Sequence, residues 1–508
     1  MGNSQLKLGI YLSYISLFVT NITNLVLTPF IIRNLGQSEY GLYMLIGAFI
    51  GYLTVLDLGL GNATVRFIAK YRAENNKEKE ENFLFITLLI YFIISVITLL
   101  VGIFLYFNLE SIFKNSLSVE EIELAKVMFV ILIINLALTL PMNSFTGVIT
   151  AYEKFVYPRL ITIIRTLVRA FIILTLLFMG YKSLAIVLVD ALLNLVMLLA
   201  NIFYVFFKLK VRVRLHNLSL ALIKEIFSYS FLIFISALVD QLYWRIGHFI
   251  LGIVASTVDV AIFAISMVFG QYFITFSTAI SGVFLPKITK MIVQKSSDEE
   301  LTNILIKTGR LQFLILGLVF GGFVLFGKKF IQLWAGPGYE ESWLIAIIVM
   351  SPLIIVLTQT IGISILQAKN MHGFRAISLL CIALLNLIIS FYLSKKYGAL
   401  GAAIGTSLSL FLGNVVVMNL YYYFKVGINI PRFFRTVSKR LYSCFFIILI
   451  LGSSLLFMEQ NSWAILAVQC SVYVVLYIFI MWKFGLNSYE KKIFVNEFHK
   501  LGFSKMCK

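Results

Sequence analysis

The sequence predicts an all-α polytopic membrane protein, and three observations support that prediction. Sixty per cent of the 508 residues are hydrophobic and only 13% are charged, against roughly 25% charged residues in a soluble domain. Apolar runs of about 20 residues, the length that crosses a bilayer as a helix, recur along the whole chain. Lysine and arginine concentrate in alternate connections between these runs. This composition excludes both a soluble core of this size and a disordered chain.

Fourteen apolar runs have the length of a transmembrane helix. They lie near residues 8–32, 41–65, 83–107, 124–150, 158–179, 184–207, 227–251, 258–284, 309–327, 343–367, 374–394, 399–424, 441–458 and 463–482. With the N-terminus inside, the inner connections and the tail hold 31 of the 42 Lys and Arg residues, and the outer loops hold 8. The positive-inside rule therefore predicts a multi-pass protein of the cytoplasmic (inner) membrane with both termini in the cytoplasm. The same bias explains the net charge of +19 through contact with anionic membrane lipids, without a nucleic-acid partner.

The two halves of the chain share a residue pattern, which predicts two pseudo-symmetric six-helix lobes followed by two further helices. Matching residues are separated by 217 to 220 positions: Tyr43, Phe49 and Tyr52 with Phe263, Phe269 and Tyr272; Gly180, Ile186, Asn201 and Tyr204 with Gly398, Ile404, Asn419 and Tyr422; and Ala151 with Ala368. An offset of six helices keeps membrane orientation, as in transporters built from parallel repeats. The predicted boundaries are 1–210 for the first lobe, 211–425 for the second, and 426–508 for the last two helices and the tail.

Three stretches carry a family resemblance: NLGQSEYGLY at 34–43, LDLGLGNA at 56–63 followed by RF at 66–67, and YGALGAAIG at 397–405. With these motifs and its helix count, the chain resembles the bacterial polysaccharide exporters, the flippases for O-antigen, capsule and teichoic-acid repeat units. These belong to one superfamily with the multidrug and toxin extruders and the lipid II flippases.

The resemblance implies alternating-access transport of an undecaprenyl-diphosphate-linked oligosaccharide from the cytoplasmic to the outer leaflet, driven by an H⁺ or Na⁺ gradient. A polysaccharide polymerase is the implied protein partner, and no cofactor is expected. A multidrug or metabolite exporter and a lipid II flippase are the close alternatives. A membrane polysaccharide polymerase is a more distant one, because the outer loops are short and have no convincing catalytic pair. The chain has no P-loop motif for ATP hydrolysis.

Two arginines lie inside the fifth predicted span, where a charge costs roughly 2.5–3.5 kcal/mol on insertion scales. Arg165 and Arg169 are four residues apart, so they lie on one helix face. If the helix begins at Pro158, Arg169 lies about 16 Å into the membrane. One interpretation is a cationic surface that binds the diphosphate through guanidinium donors. In the other, Arg165 extends to the interface and Arg169 pairs with a carboxylate on another helix.

The seventh span carries the densest polar cluster: Asp240, Gln241, Tyr243, Trp244, Arg245 and His248. In the functional interpretation Arg245 binds phosphate, aromatic rings stack on sugar, and Asp240 or His248 titrates to couple protons. The alternative is an interhelical salt bridge. Many relatives have an acidic residue just before the Ile/Leu-Leu-Gly step of this span, where this chain has Gly247-His248.

The predicted site combines these groups with polar residues of other spans. Asp190 shares one stripe of the sixth span with Asn194 and Asn201, which either line the cavity or form helix–helix hydrogen bonds. The predicted substrate-binding residues are Arg165, Arg169, Arg245, Gln241, Trp244, Asn21, Asn24 and Gln359. The candidates for ion coupling are Asp57, Asp190, Asp240 and His248. Neither catalytic residues nor a metal site are predicted.

Overall fold

The computed structural model describes residues 2–281, 285–294, 296–369, 371–457, 462–492 and 495, and no strand occurs among them. The chain packs into two compact units, Met1–Ala264 with Ser394–Ala399, and Ile265–Leu393 with Leu400–Lys508. The lobe boundaries predicted near 210 and 425 stay predictions. The helices that begin in the first unit are α1 (Gly2–Leu53), α2 (Leu60–Ala73), α3 (Lys77–Phe113), α4 (Val119–Ala151), α5 (Val156–Phe178), α6 (Ser183–Phe203), α7 (Leu220–Trp244), α8 (Ile246–Val254) and α9 (Thr257–Ser281).

The second unit continues with nine helices of 4 to 39 residues among the residues that the structure describes. They are α10 (Leu285–Val293), α11 (Asp298–Trp334), α12 (Glu341–Thr358), α13 (Thr360–Ala368), α14 (His372–Leu410), α15 (Met418–Tyr421), α16 (Ile430–Ser438), α17 (Leu441–Ser453) and α18 (Trp463–Ile480). Two of the longest helices, α4 and α11, begin with a capping box. In each, a serine (Ser118 or Ser297) and the glutamate three residues later satisfy each other's backbone N–H groups.

Twelve helical segments within the described ranges are long and apolar enough to cross a membrane. Two of them, Leu8–Ala73 with 66 residues and Gly373–Val426 with 54, are long enough for two crossings each. The left-handed glycines Gly36 (φ 74°) and Gly398 (φ 52°) break the helix within these segments. Counting two crossings for each gives the predicted fourteen. The all-α, multi-pass fold is confirmed.

The internal repeat appears as matching local structures in the two halves of the chain. Gly180, two residues after the end of α5, and Gly398 both have positive φ, 86° and 52°. In the first unit Tyr157 stacks on Tyr204 with 3.9 Å between ring centroids, and in the second Phe374 stacks on Tyr421 at 4.1 Å. The ring equivalent to Tyr204 is therefore Tyr421, one residue before the predicted Tyr422.

Packing inside the first unit determines which polar side chains can meet. Helix α5 packs along α1, α6 packs on α4 and α5, and α3 packs on α4. The arginine face of α5 is thereby placed beside α6, whose polar stripe carries the half-buried Asp190. The candidate site follows from this arrangement.

Candidate functional site in the first unit

Arg169 forms a two-pronged ion pair with Asp190 of the neighbouring helix α6. Its Nε lies 2.5 Å from Asp190 Oδ1 and its Nη2 lies 2.9 Å from Oδ2. Tyr43 of α1 donates from its hydroxyl to Asp190 Oδ2 at 3.4 Å. The two charged side chains keep 23% and 25% of their surface exposed. For Arg169, the structure therefore shows the interhelical pairing that the sequence left as one alternative.

Arg165, one helical turn before Arg169, has a different environment. Its Nη1 lies 4.0 Å from the sulfur of Met197, a weak acceptor. Its Nε is buried and has no hydrogen-bond partner among the described residues. The side chain makes no ion pair within that same part of the chain. Since a guanidinium has five N–H donors and no acceptor, Arg165 is a half-buried cation with capacity for an anion.

The asparagines of the α6 stripe join helices. Asn194 Nδ2 donates to Asn135 Oδ1 at 2.7 Å and to Thr139 Oγ1 at 2.8 Å, both on α4. Asn201 Nδ2 donates to Thr146 Oγ1 at 3.1 Å. Such bonds hold membrane helices together. The stripe fixes α6 on α4 and with it the position of Asp190.

Arg245 lies at a break between α7 and α8. The helix ends at Trp244, Arg245 has φ −116° and ψ −19°, and the next helix begins at Ile246. Its Nη1 donates to the carbonyl of Gly47 at 3.4 Å, and its side chain remains exposed. A Cβ at Gly51 would lie 2.7 Å from the Arg245 side chain, so the glycine makes room for this cation.

The residues near Arg245 in the sequence differ in how deeply they are buried. Gln241 Oε1 is buried without a hydrogen-bond partner among the described residues. Trp244 is half-buried and Asp240 is exposed. His248 is buried edge-to-face against Phe263, with 5.1 Å between ring centroids. The helix break thus separates exposed Arg245 from buried His248, and the proposed titration of His248 stays a prediction.

The remaining predicted residues lie apart from the α5–α6 pair. Asp57 ends a short 3-10 turn, and its Oδ1 accepts a hydrogen bond from Tyr91 Oη at 2.7 Å. Asn21 and Asn24 are half-buried on α1. Gln359 belongs to the second unit, buried at the junction of α12 and α13. Within the described residues, no three His, Cys, Asp or Glu side chains are placed to hold a metal ion.

Together, the structure groups Arg165, Arg169 and Asp190, and it adds Tyr43, which the sequence had indicated as a member of the repeat and of the stretch 34–43. Tyr43 reaches this pair because α1 packs on α5 and α6, and neither sequence pattern indicates that contact. Residues 6–291 match the model of a family described as polysaccharide biosynthesis protein. The chain belongs to this family. The predicted family resemblance is confirmed.

A curated relative and several solved structures are similar to this chain. The capsular polysaccharide biosynthesis protein CapF of Staphylococcus aureus is 30% identical over 221 residues, which cover 42% of this chain and 53% of CapF. The chain thus spans about half the length of that curated relative. Among solved structures, the lipid II flippase MurJ in an inward closed conformation has a TM-score of 0.71 at 18% identity, covering 93% of this chain and 98% of MurJ.

An inward-facing multidrug resistance transporter of the MATE family has a TM-score of 0.63 at 15% identity, covering 83% of this chain and 96% of the transporter. At these identities the likeness shows a shared fold. The chain thus combines membership of the polysaccharide biosynthesis family with a fold shared by MurJ and the MATE transporter.

Proposed function

We propose that the protein is a flippase that moves an undecaprenyl-diphosphate-linked oligosaccharide repeat unit from the cytoplasmic to the outer leaflet for cell-surface polysaccharide synthesis. The observation that carries this proposal is Arg165, a half-buried guanidinium without an anionic partner in the described part of the chain, beside a second arginine that is only partly enclosed. Guanidinium groups suit phosphate oxygens. A membrane helix that keeps two arginines on one face favours a substrate with a negatively charged group.

The direction of transport rests on the topology predicted from the charge bias. Both termini lie in the cytoplasm, and the substrate enters from the cytoplasmic leaflet of the cell membrane. A polysaccharide polymerase would take over the delivered unit, and the protein itself acts as a transporter without a chemical step. Transport is driven by an H⁺ or Na⁺ gradient. The Arg169–Asp190 pair joins a candidate for ion coupling to an arginine of the binding face, which makes this pair the proposed point of coupling.

The proposal is tested with Arg165→Gln expressed in a deletion strain. We expect polyprenyl-diphosphate oligosaccharide to accumulate, protected from an impermeant reagent added outside, while the amount of protein in the membrane is unchanged. Lipid extracts analysed by mass spectrometry measure both the accumulation and the mass of the glycan. Arg159→Gln is the matched control, because Arg159 is an exposed arginine in the first turn of the same helix.

Three results would contradict the proposal. Normal export by Arg165→Gln would remove the role of the arginine. Complete repeat units stalled on the outer face would indicate a polymerase. Unchanged lipids in the deletion strain itself would indicate export of a drug or metabolite.

A further inference from the structure

A polar cleft of about 690 Å³ lies at one end of the first unit, outside the α5–α6 site. Three connections form it: the turn between α2 and α3, the residue that follows α4, and the linker after α6. Its lining residues are Tyr71, Arg72, Asn75, Asn76, Lys77, Glu80, Glu81, Tyr152, Leu209, Lys210, Val211 and Arg212. The volume lies in the range of sites for small molecules. All three connections are on the side predicted to be cytoplasmic.

The linker after α6 has no regular secondary structure where it lines the cleft, and it is anchored to α3 four residues beyond the lining residue Arg212. Asn82 Oδ1 accepts from the backbone N–H groups of His216 and Asn217, both at 2.9 Å, and Asn82 Nδ2 donates to the Asn217 carbonyl at 2.8 Å. His216 Nε2 lies 3.0 Å from Glu81 Oε2. Asn82, in the second turn of α3, therefore both accepts hydrogen bonds from the linker and donates one to it. The contact with His216 also ties Glu81 of α3 to the linker.

The opposite wall engages the second carboxylate. Tyr152 donates from its hydroxyl to Glu80 Oε1 at 2.6 Å. Burial, followed by this hydrogen bond, raises the pKa of Tyr152 well above its usual value, so the tyrosine stays a neutral donor. Arg72 lies over the Tyr152 ring, 3.8 Å from its centroid, and donates to the Ala151 carbonyl at 2.6 Å. Glu80 and Glu81 keep their negative charges, but the lining holds four cationic side chains against these two acids.

Three of the four cations in the lining are Lys77, Lys210 and Arg212, all exposed. None of them forms an ion pair with any residue that the structure describes. Lys77 is also the first residue of α3, whose N-terminus adds partial positive charge. The cleft therefore has an excess of positive charge.

The repeat shows that Lys210 is an unusual choice for its position. Lys210 has φ 56°, and the residue 217 positions later, Gly427, has φ 85°. A left-handed conformation suits glycine and strains lysine. At the same offset Tyr152 corresponds to Lys369, which forms an ion pair of 2.9 Å with Asp298 at the start of α11. The lysine is thus kept at a backbone position where the other copy has glycine.

The second unit closes the corresponding space with apolar side chains. After Gly427 the chain forms α16, which buries Ile430, Phe433 and Val437. Asn429 N–H donates to Thr302 Oγ1 at 3.1 Å, so this linker also rests on the start of a long helix. The linker that follows the sixth helix of the repeat therefore packs into an apolar core in the second unit, whereas in the first unit it lines an open cationic cleft.

We propose that the cleft is a binding site for a phosphate-bearing ligand, held by Lys77, Lys210 and Arg212. The phosphate belongs either to the headgroup of an anionic membrane lipid or to a soluble phosphate compound. Ammonium and guanidinium donors form short charge-assisted hydrogen bonds with phosphate oxygens. This site is separate from the flippase substrate site and does not depend on the proposed function.

The first test is lysine acetylation of the full-length protein in nanodiscs, quantified by mass spectrometry. Lys77 and Lys210 are followed relative to Lys208, an exposed lysine of the same segment that does not line the cleft. Protection of both lysines by inorganic pyrophosphate in phosphatidylcholine nanodiscs supports a soluble ligand. Protection by phosphatidylglycerol nanodiscs alone supports a lipid headgroup. Absence of protection in both overturns the proposal.

The second test uses variants whose folding is not in question. Lys210→Gly introduces the residue found in the other copy of the repeat, so we expect unchanged or higher thermal stability. We expect binding of the protecting ligand to weaken about tenfold, the effect of one lost charge-assisted hydrogen bond. Lys208→Gly is the matched control and keeps full binding. Equal binding by Lys210→Gly and wild type, or equal losses in both variants, would overturn the proposal.

Discussion

The ion pair Arg310–Glu490 of the second unit and the pair Arg169–Asp190 of the first differ in how completely their guanidinium groups are satisfied. Arg310 Nη2 donates to Glu490 Oε2 at 3.1 Å and to the Gly485 carbonyl at 3.0 Å, while Nη1 donates to the carbonyls of Thr436 at 2.9 Å and Lys439 at 3.3 Å. Only 6% of the arginine and 2% of the glutamate side chain are exposed. This pair fastens the chain that follows α18 to α11 and α16.

The Arg169–Asp190 pair is about a quarter exposed, and Arg165 next to it has no acidic partner in the described residues. A buried arginine is therefore not by itself a sign of a binding site in this protein. A guanidinium whose donors are all used stabilises the fold. One that is left partly unsatisfied at a membrane helix is free to bind another anion.

The comparison is tested most strongly by Glu490→Ala. Removing one partner of a buried pair leaves an uncompensated charge, so we expect the free energy of unfolding to fall by about 3–5 kcal/mol. Thermal unfolding in detergent measures the change. The control is Glu299→Ala, because its pair with Arg432 is 69% and 44% exposed and should contribute at most about 1 kcal/mol. Similar melting of the two variants would show that the buried pair does not fasten the chain.

Asp190→Asn should have a smaller effect on stability and a large effect on transport. Because the site is partly exposed, we expect a loss of about 1–3 kcal/mol in unfolding free energy. The double variant Arg169→Met with Asp190→Leu replaces the pair by apolar side chains and should unfold within about 1 kcal/mol of the wild type. Flipping assays on both variants should show loss of transport. A double variant that is stable and still transports would reduce the pair to a structural role.

Arg165→Lys tests whether the unpaired group acts through geometry as well as charge. Lysine keeps the charge but not the planar, two-pronged donor arrangement. We expect transport between that of the wild type and that of Arg165→Gln, with stability changed by no more than about 0.5 kcal/mol. Initial rates of lipid-linked oligosaccharide translocation give the ranking. Full activity of the lysine variant would leave charge alone as the requirement.

Gly51→Ala should have the smallest effect. The added methyl group meets the flexible side chain of Arg245, which must move, whereas a methyl group at Gly47 meets nothing within 4 Å. We therefore expect a modest decrease in transport from Gly51→Ala, no decrease from Gly47→Ala, and unchanged melting for both. Equal activity of the two alanine variants would separate Arg245 from the transport site.

The helices and the repeat could be predicted because both are periodic features of the sequence. Apolar length locates each span, and Gly180 and Gly398 mark equivalent turns in the two halves. Charge bias suggested the orientation, which stays a prediction. The pairing of side chains within the candidate site was harder to predict from the sequence. Asp190 is 21 residues from Arg169 on another helix, and the rotation of one helix about its axis relative to another is decided by packing rather than by spacing.

The structural arginine was hidden from sequence analysis for the same reason. Arg310 lies at the edge of the ninth predicted span, and no sequence pattern links it to Glu490, which is 180 residues away. Asp57 stays a predicted candidate for ion coupling, and the structure adds Tyr91, which donates a hydrogen bond to it. A tyrosine hydroxyl in an apolar run gives no pattern that would reveal such a contact.

The Arg310–Glu490 pair also sets an order for synthesis. Ribosomes add about 5–20 residues per second, so Arg310 exists for roughly 9 to 36 seconds before Glu490 is made. During that interval the second unit has a cation without its carboxylate. The buried pair therefore cannot form until residue 490 has been made. In a chain cut short before residue 490, the Arg310 guanidinium would have no Glu490 carboxylate to pair with. This unpaired cation would distinguish the shortened chain from one that includes Glu490.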